Sequence, residues 1–248
     1  MTHFPEEQQI IESRGYTGIF DCANHIKKSL VSFHVPFVTY GSMNYLHTAY
    51  DLGLCPYDMS HWNLDPVLCF GINGDKEPSI KFIVPDKWRS FVSDTVKAYG
   101  KENTVFCSKI PYLNELSGVL TSEKDIIDPF DPLHKSEVMK LLRDDEVGKL
   151  LGHVFADELL EGMDGTRDSV LEYLTPVIGK LNAYRVMEAI RKGLGLSDQQ
   201  KSMLVRNGVK EGIICYLNDQ KYLMLRGDVV ILSNILYLLS KEKEKSND

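Results

Sequence analysis

Apolar residues in the first part of the chain change from helical to extended spacing. Over residues 22–33, Ile26, Leu30 and Phe33 recur at three- and four-residue intervals, which predicts an amphipathic helix. The apolar run at 34–40 then predicts a short strand. Further helices are expected over 41–54, 86–99, 166–174, 177–192 and 197–207, and a further strand over 104–110.

A β-hairpin is the clearest local prediction. Apolar runs over residues 61–72 and 79–84 flank the sequence Asn-Gly-Asp at 73–75. Asn-Gly between apolar runs is the strongest short hairpin signal. Counting outward from a two-residue turn places His61 directly opposite Asp86, with the two Cβ atoms about 5 Å apart.

The pattern of apolar residues after residue 132 predicts a mainly helical region. Two prolines within residues 128–132 interrupt any helix, so we place a domain boundary there. The predicted fold class is α+β, with a mixed α/β module and a small antiparallel sheet over residues 1–127. A mainly helical region follows over 133–248, with a hairpin at 213–225. The final helix is apolar nearly all round, which predicts burial within the protein or against a partner.

Composition narrows the functional classes. The apolar fraction of 43% and charged fraction of 25% are those of an ordinary folded protein. A net charge of −7 argues against electrostatic binding to nucleic acid or an anionic membrane. No stretch approaches the roughly 20 apolar residues of a membrane span. The five cysteines are scattered and no signal-peptide pattern is present, so we expect free thiols and a cytoplasmic location.

Cys22, His61 and Asp86 are the candidate catalytic residues. Cys22 follows a glycine-containing loop and is expected to open a helix, where free N–H groups and the helix dipole favour a thiolate. His61 would accept the thiol proton and Asp86 would orient the imidazole. As alternatives, Cys22 is a small buried apolar residue, His61 a strand residue bonded to backbone, and Asp86 a helix N-cap.

The sequences around these residues resemble the transglutaminase-like branch of the papain-like cysteine hydrolase superfamily. The resemblance covers about residues 10–90 and is carried by the segments at 21–23, 35–41, 61–62 and 84–86. It implies a papain-like module in which Cys22 attacks an amide or acyl carbonyl to form a thioester, with His61 as base and Asp86 as its orienting group.

Two classes of function follow. The first is a cysteine-dependent enzyme, such as a protease, deamidase or acyl transferase, that acts on a protein or peptide and needs no cofactor or metal. Tyr40, Tyr45 and Trp62 would then line its substrate cleft. The second is a non-catalytic regulatory or partner-binding protein, or a small-molecule sensor, that uses the α/β module as its binding site. Homo-oligomerisation through the C-terminal apolar helix is possible in either class.

Overall fold

The structure, a computed structural model, describes residues 4–62, 64–100, 126–142, 146–156, 163–220 and 223–247. The helices are α1 (Phe4–Ser13), α2 (Thr17–Ser32), α3 (His47–Asp51), α4 (Val67–Phe70), α5 (Arg89–Ala98), α6 (Pro132–Leu141), α7 (Glu146–Ala156), α8 (Arg167–Ile178), α9 (Lys180–Arg191), α10 (Asp198–Arg206), α11 (Glu211–Asp219) and α12 (Arg226–Asn247). Strands β1 (Val38–Tyr40) and β2 (Lys81–Ile83) pair antiparallel. The predicted α+β class, with a small antiparallel sheet, is therefore confirmed, and most of the described residues are helical.

The chain divides into two compact units. Unit 1 comprises Met1–Leu151 together with Gly227–Asp248, and unit 2 comprises Gly152–Arg226. Unit 1 therefore combines segments from both ends of the sequence, and the boundary at 128–132 stays a prediction. A local change in composition cannot show that the end of the chain packs in the same unit as its beginning.

The predicted hairpin over residues 61–84 is wrong. The described residues of its first run form no strand: Met59–Trp62 is a 3-10 helix and Val67–Phe70 is α4. Pro66 occupies the N-cap of α4, and the Asp65 carboxylate accepts a hydrogen bond from the Val67 N–H. This is a helix-starting arrangement, because proline fixes a helical φ and aspartate satisfies a free N–H.

The second predicted run does form a strand, but with a different partner. β2 pairs with β1, so that Val38 lies opposite Ile83 and Tyr40 lies opposite Lys81. Val38 and Ile83 are both buried, and this apolar pairing across 45 residues of sequence replaces the local one. Only the second half of the strand predicted at 34–40 is extended enough to join it. The strand predicted at 104–110 lies outside the described residues.

In unit 2 the predicted helices are confirmed and the predicted hairpin at 213–225 is wrong. Ser197 caps α10 in a complete capping box with Gln200, as its sequence pattern indicates. Residues 211–219 form α11 instead of a strand, because Ile213, Ile214 and Leu217 share one buried helical face.

The core of unit 1 includes the apolar part of α12. Val229, Val230, Ile231 and Leu232 are completely buried, and Ile235 is 1% exposed. The prediction that this helix is buried within the protein is confirmed. These apolar side chains are covered within one chain, and homo-oligomerisation through this helix stays a prediction. Among the described residues, no helix combines the length and apolarity that crossing a membrane requires.

Candidate functional site

Cys22 lies inside α2, not at its start. The helix begins at Thr17, and the N–H groups that a helix leaves free are those of its first four residues. Cys22 is 5% exposed and belongs to the apolar face that also contains Ile19 and Ile26. The prediction that Cys22 opens a helix is therefore wrong, and the stabilisation of its thiolate by free N–H groups at a helix start does not apply.

His61 and Asp86 are both exposed, on separate 3-10 helices. His61 lies in Met59–Trp62, where its ring is 6.0 Å from that of Trp62 in an edge-on arrangement. Asp86 begins the segment Asp86–Trp88. The hairpin that was to place the two opposite each other does not form. The catalytic roles of Cys22, His61 and Asp86 stay predictions, without the register argument that supported them.

The three aromatic residues assigned to a substrate cleft are held by separate interactions. The Tyr45 hydroxyl accepts a hydrogen bond from the Gly227 N–H at 3.3 Å. The Lys81 ammonium lies 4.8 Å from the centre of the Tyr40 ring. Trp62 is half-buried, and its indole N–H donates to the Asp128 carboxylate at 3.4 Å. Tyr40 and Tyr45 are each 7% exposed, so packing accounts for both, and their role with substrate stays a prediction.

Two further thiols are buried and kept neutral. Cys55 donates to the Tyr57 carbonyl at 3.1 Å, and burial raises the pKa of its thiol to about 12. Burial also raises the pKa of Cys69, which is completely enclosed. A neutral thiol is a poor nucleophile and a poor metal ligand, so neither residue is suited to catalysis.

Two buried carboxylates, which the sequence did not single out, hold the loop after β1. Glu7 accepts hydrogen bonds from the N–H groups of His47 and Thr48, at 3.1 and 2.8 Å, and so caps α3 from a distant helix. Asp228 accepts from the Gly41 N–H at 2.6 Å. Since these partners are far apart in sequence, no local pattern marks either carboxylate. Their bonds to backbone indicate a structural role.

An exposed aromatic surface lies where α2 ends and α5 begins. It consists of Phe33, Trp88 and Phe91. The Trp88 ring is 5.3 Å from that of Phe33 and 5.9 Å from that of Phe91, measured between ring centres. Phe33 is 61% exposed, whereas Trp88 and Phe91 are half-buried. We call this set the aromatic surface.

The exposure of Phe33 corrects one reading of the sequence. Its spacing from Ile26 and Leu30 placed it on the buried face of α2, but the helix ends at Ser32 and Phe33 is the C-cap. His34, with φ of 53°, then turns the chain, and the next apolar residue, Val35, is buried in its place. Phe33 therefore stays largely exposed at the end of α2, where its ring packs on Trp88.

The charges beside the aromatic surface differ from those of the whole chain. Lys87 and Arg89 flank Trp88 directly, and both are exposed. Asp86 is the acidic residue next to them. The immediate neighbours of Trp88 thus carry a net positive charge in a protein whose overall charge is −7. This local charge favours a negatively charged ligand.

Comparison with known proteins assigns no family. No protein-family model matches the chain, and no curated protein matches it.

Proposed function

We propose that this chain is a non-catalytic partner-binding protein whose aromatic surface receives an acidic, apolar segment of another protein. The observation that carries the proposal is the contact of the Trp88 ring with two other aromatic rings, one tilted and one edge-on, with Phe33 61% exposed to solvent. Apolar surface is expensive to leave in water, and contiguous exposed patches mark interaction sites.

The residue types fit a protein interface. Tryptophan and arginine are enriched among the residues that dominate binding energy, and aromatic side chains give a large contact area for little loss of conformational entropy. Trp88 is already restrained between Phe33 and Phe91. A partner would therefore contact side chains that are largely preorganised, which lowers the entropic cost of binding.

The chemistry of the partner follows from the same surface. The aromatic rings require apolar side chains on the partner, and Lys87 and Arg89 favour carboxylates at its edge. A second copy of this chain is a less suitable occupant, because two such surfaces would bring their basic residues together. An acidic segment with aliphatic or aromatic residues satisfies both requirements.

Selection from a phage-displayed peptide library tests the proposal without assuming a sequence. We expect the selected peptides to combine Asp or Glu with large apolar residues, and their affinity to fall tenfold or more on Phe33→Asp, the range of an interface hot spot. Binding is measured with synthetic copies of the peptides, by the emission of Trp88 in a Trp62→Phe background. Trp88 emission should shift to shorter wavelength as its ring loses water.

Leu133→Asp is the matched control, since Leu133 is 78% exposed and lies outside the aromatic surface. Leu133→Asp is a surface change, and we expect it to alter stability by no more than about 0.5 kcal/mol. Phe33→Asp also removes the packing on Trp88 and places a carboxylate at the C-terminus of α2, so we expect it to lower stability by about 1–2 kcal/mol and to leave the protein folded. Peptides that are basic, or that bind Phe33→Asp as well as they bind the unaltered protein, contradict the proposal. So does a dimer that Phe33→Asp dissociates, because the occupant is then a second copy.

The cysteine-enzyme hypothesis stays a second prediction, and thiol reactivity distinguishes it from partner binding. Cys215 is exposed, whereas Cys22, Cys55 and Cys69 are buried. For a non-catalytic protein we expect iodoacetamide at pH 8 to alkylate Cys215 well before these three, because reaction requires an accessible thiolate. Mass spectrometry of the digested protein gives the extent of reaction at each position.

A catalytic Cys22 gives the opposite order. It should react first, and already at pH 6, because a nucleophilic cysteine has a lowered pKa. Cys215→Ser serves as the control that removes the exposed thiol. Rapid alkylation of Cys22 in the folded protein, slowed by His61→Ala, overturns the non-catalytic proposal.

A further inference from the structure

Five helices in the described part of the chain end in the same hydrogen-bonded turn. In this Schellman arrangement a residue with positive φ follows the helix, and the next residue donates its N–H to a carbonyl five positions earlier. The residues that make this second bond are Tyr16, Val35, Leu54, Leu194 and Val209. An apolar residue at this position commonly packs back against its own helix.

Leu194 is the exception among these five residues. Tyr16, Val35, Leu54 and Val209 are between 1% and 9% exposed, as the motif requires. Leu194, between α9 and α10, is 75% exposed although its N–H donates to the Ala189 carbonyl at the usual 3.0 Å. The hydrogen bonds of the turn are therefore intact, but the apolar contact that normally accompanies them is absent.

Basic residues predominate in the segment that contains this turn. Residues 173–210 contain seven lysines and arginines but only two acidic residues, in a chain whose net charge is −7. The basic residues are Lys180, Arg185, Arg191, Lys192, Lys201, Arg206 and Lys210. Among the described side chains, Glu188 is bonded to Arg191 at 2.7 Å, which neutralises one charge of each sign. The region remains positively charged overall.

One face of α9 brings these features together. Leu181, Arg185 and Lys192 are four and seven residues apart, so they project from the same side of the helix. Leu181 is 45% exposed, and both basic residues are exposed. The opposite face, which includes Val186 and Ile190, is buried. The exposed leucines Leu181 and Leu194 therefore lie at the two ends of a stretch that carries Arg185 and Lys192, and Glu188, the acidic residue between these two cations, is paired with Arg191.

We infer that the turn at Leu194 and the exposed face of α9 bind an anionic lipid surface. Leu194 would enter the boundary between headgroups and acyl chains, while Arg185 and Lys192 would contact lipid phosphates. Nucleic acid is a weaker candidate, because phosphate contacts gain nothing from exposed leucines. A protein interface is also less suitable, since such interfaces favour aromatic residues and are depleted in lysine.

Sedimentation with lipid vesicles tests this inference on the full chain. We expect binding to vesicles of equal parts phosphatidylserine and phosphatidylcholine, and none to phosphatidylcholine alone. Leu194→Asp should lower the partition coefficient roughly tenfold by removing the buried apolar contact. Reversing both Arg185 and Lys192 to glutamate should lower it by at least as much at low salt. Raising the salt concentration should weaken binding of the unaltered protein.

Leu133→Asp is again the control, because Leu133 is 78% exposed and belongs to unit 1. Equal binding by Leu194→Asp and Leu133→Asp overturns the inference, as does absence of sedimentation with the anionic vesicles. The surface is assigned to nucleic acid instead if the protein binds a fluorescent DNA duplex more tightly than it binds the vesicles, and if Leu194→Asp leaves the binding of DNA unchanged. Phe33→Asp should leave vesicle binding unchanged, so failure here is separate from failure of the proposed function.

Discussion

Replacing Asn234 by leucine is expected to lower the free energy of unfolding of unit 1 by about 3 kcal/mol. The Asn234 amide lies in α12 with no exposed surface. Its nitrogen donates to the Ile127 carbonyl at 3.0 Å, and its oxygen accepts from the Ile127 N–H at 2.9 Å. Leucine has a similar volume but leaves both backbone groups of Ile127 buried without partners, and each such group costs about 1–3 kcal/mol.

Ser233→Ala provides the control in the same helix. The Ser233 hydroxyl is also completely buried, but it makes no hydrogen bond to any described residue. Its removal should leave stability unchanged or raise it slightly, because no partner loses a bond. Both tryptophans belong to unit 1, so urea unfolding followed by their fluorescence reports the stability of this unit. Equal midpoints for Asn234→Leu and Ser233→Ala contradict the prediction.

Gly41→Ala is expected to destabilise unit 1 by about 3 kcal/mol or more. Gly41 has φ of 125°, a conformation that residues with a Cβ rarely adopt. A Cβ there would lie 2.6 Å from the Ser79 carbonyl oxygen, which is backbone and cannot rotate away. The same residue donates its N–H to Asp228, so any relief of the clash also disturbs that buried bond.

Gly15→Ala separates backbone strain from the clash. Gly15 also has positive φ, at 70°, but a Cβ at this position meets no atom within 4 Å. Its replacement should cost only about 1 kcal/mol, the penalty for a left-handed conformation. The two variants are compared by the midpoint of urea unfolding. If Gly41→Ala lowers stability no more than Gly15→Ala does, the prediction is contradicted, because the loop after β1 then relieves the clash by moving without a further loss of stability.

The two proposed surfaces differ in the chemistry that they offer. The aromatic surface in unit 1 is built on Trp88, whose ring is held by two others, and suits a protein segment. The turn at Leu194 in unit 2 is aliphatic and basic, and suits an anionic bilayer. The net charge of −7 argued against such a bilayer when the chain was taken as a whole. That average conceals the positive region between residues 173 and 210, and binding depends on the local field.

Helices in unit 2 were predictable because their signals are local. The capping box at Ser197 and Gln200 and the buried spacing of Val186, Met187 and Ile190 both depend on residues within two turns of each other. The hairpins at 61–84 and 213–225 failed for a related reason. A short apolar run fits a strand or a helix equally well, and the choice is made by neighbours that are distant in sequence.

The candidate catalytic site shows the same limit. Cys22 and its apolar neighbours on α2 were evident from their spacing, but the position of Cys22 within that helix depended on where α2 begins. The pairing of His61 with Asp86 depended on a register counted out from one turn. In the structure β2 pairs with β1, so the register that would have placed His61 opposite Asp86 does not exist.

The sequence by itself determined the α+β class, the amphipathic helices and the burial of the C-terminal helix, because periodic apolar spacing states which side of an element avoids water. Only the tertiary structure decided which strands pair, which carboxylates cap distant backbone groups, and which apolar residues stay exposed at Phe33 and Leu194. These outcomes depend on contacts between segments far apart in the chain. The free energies of these contacts depend on complementary shape and on hydrogen bonding, and neither can be predicted from a local sequence pattern.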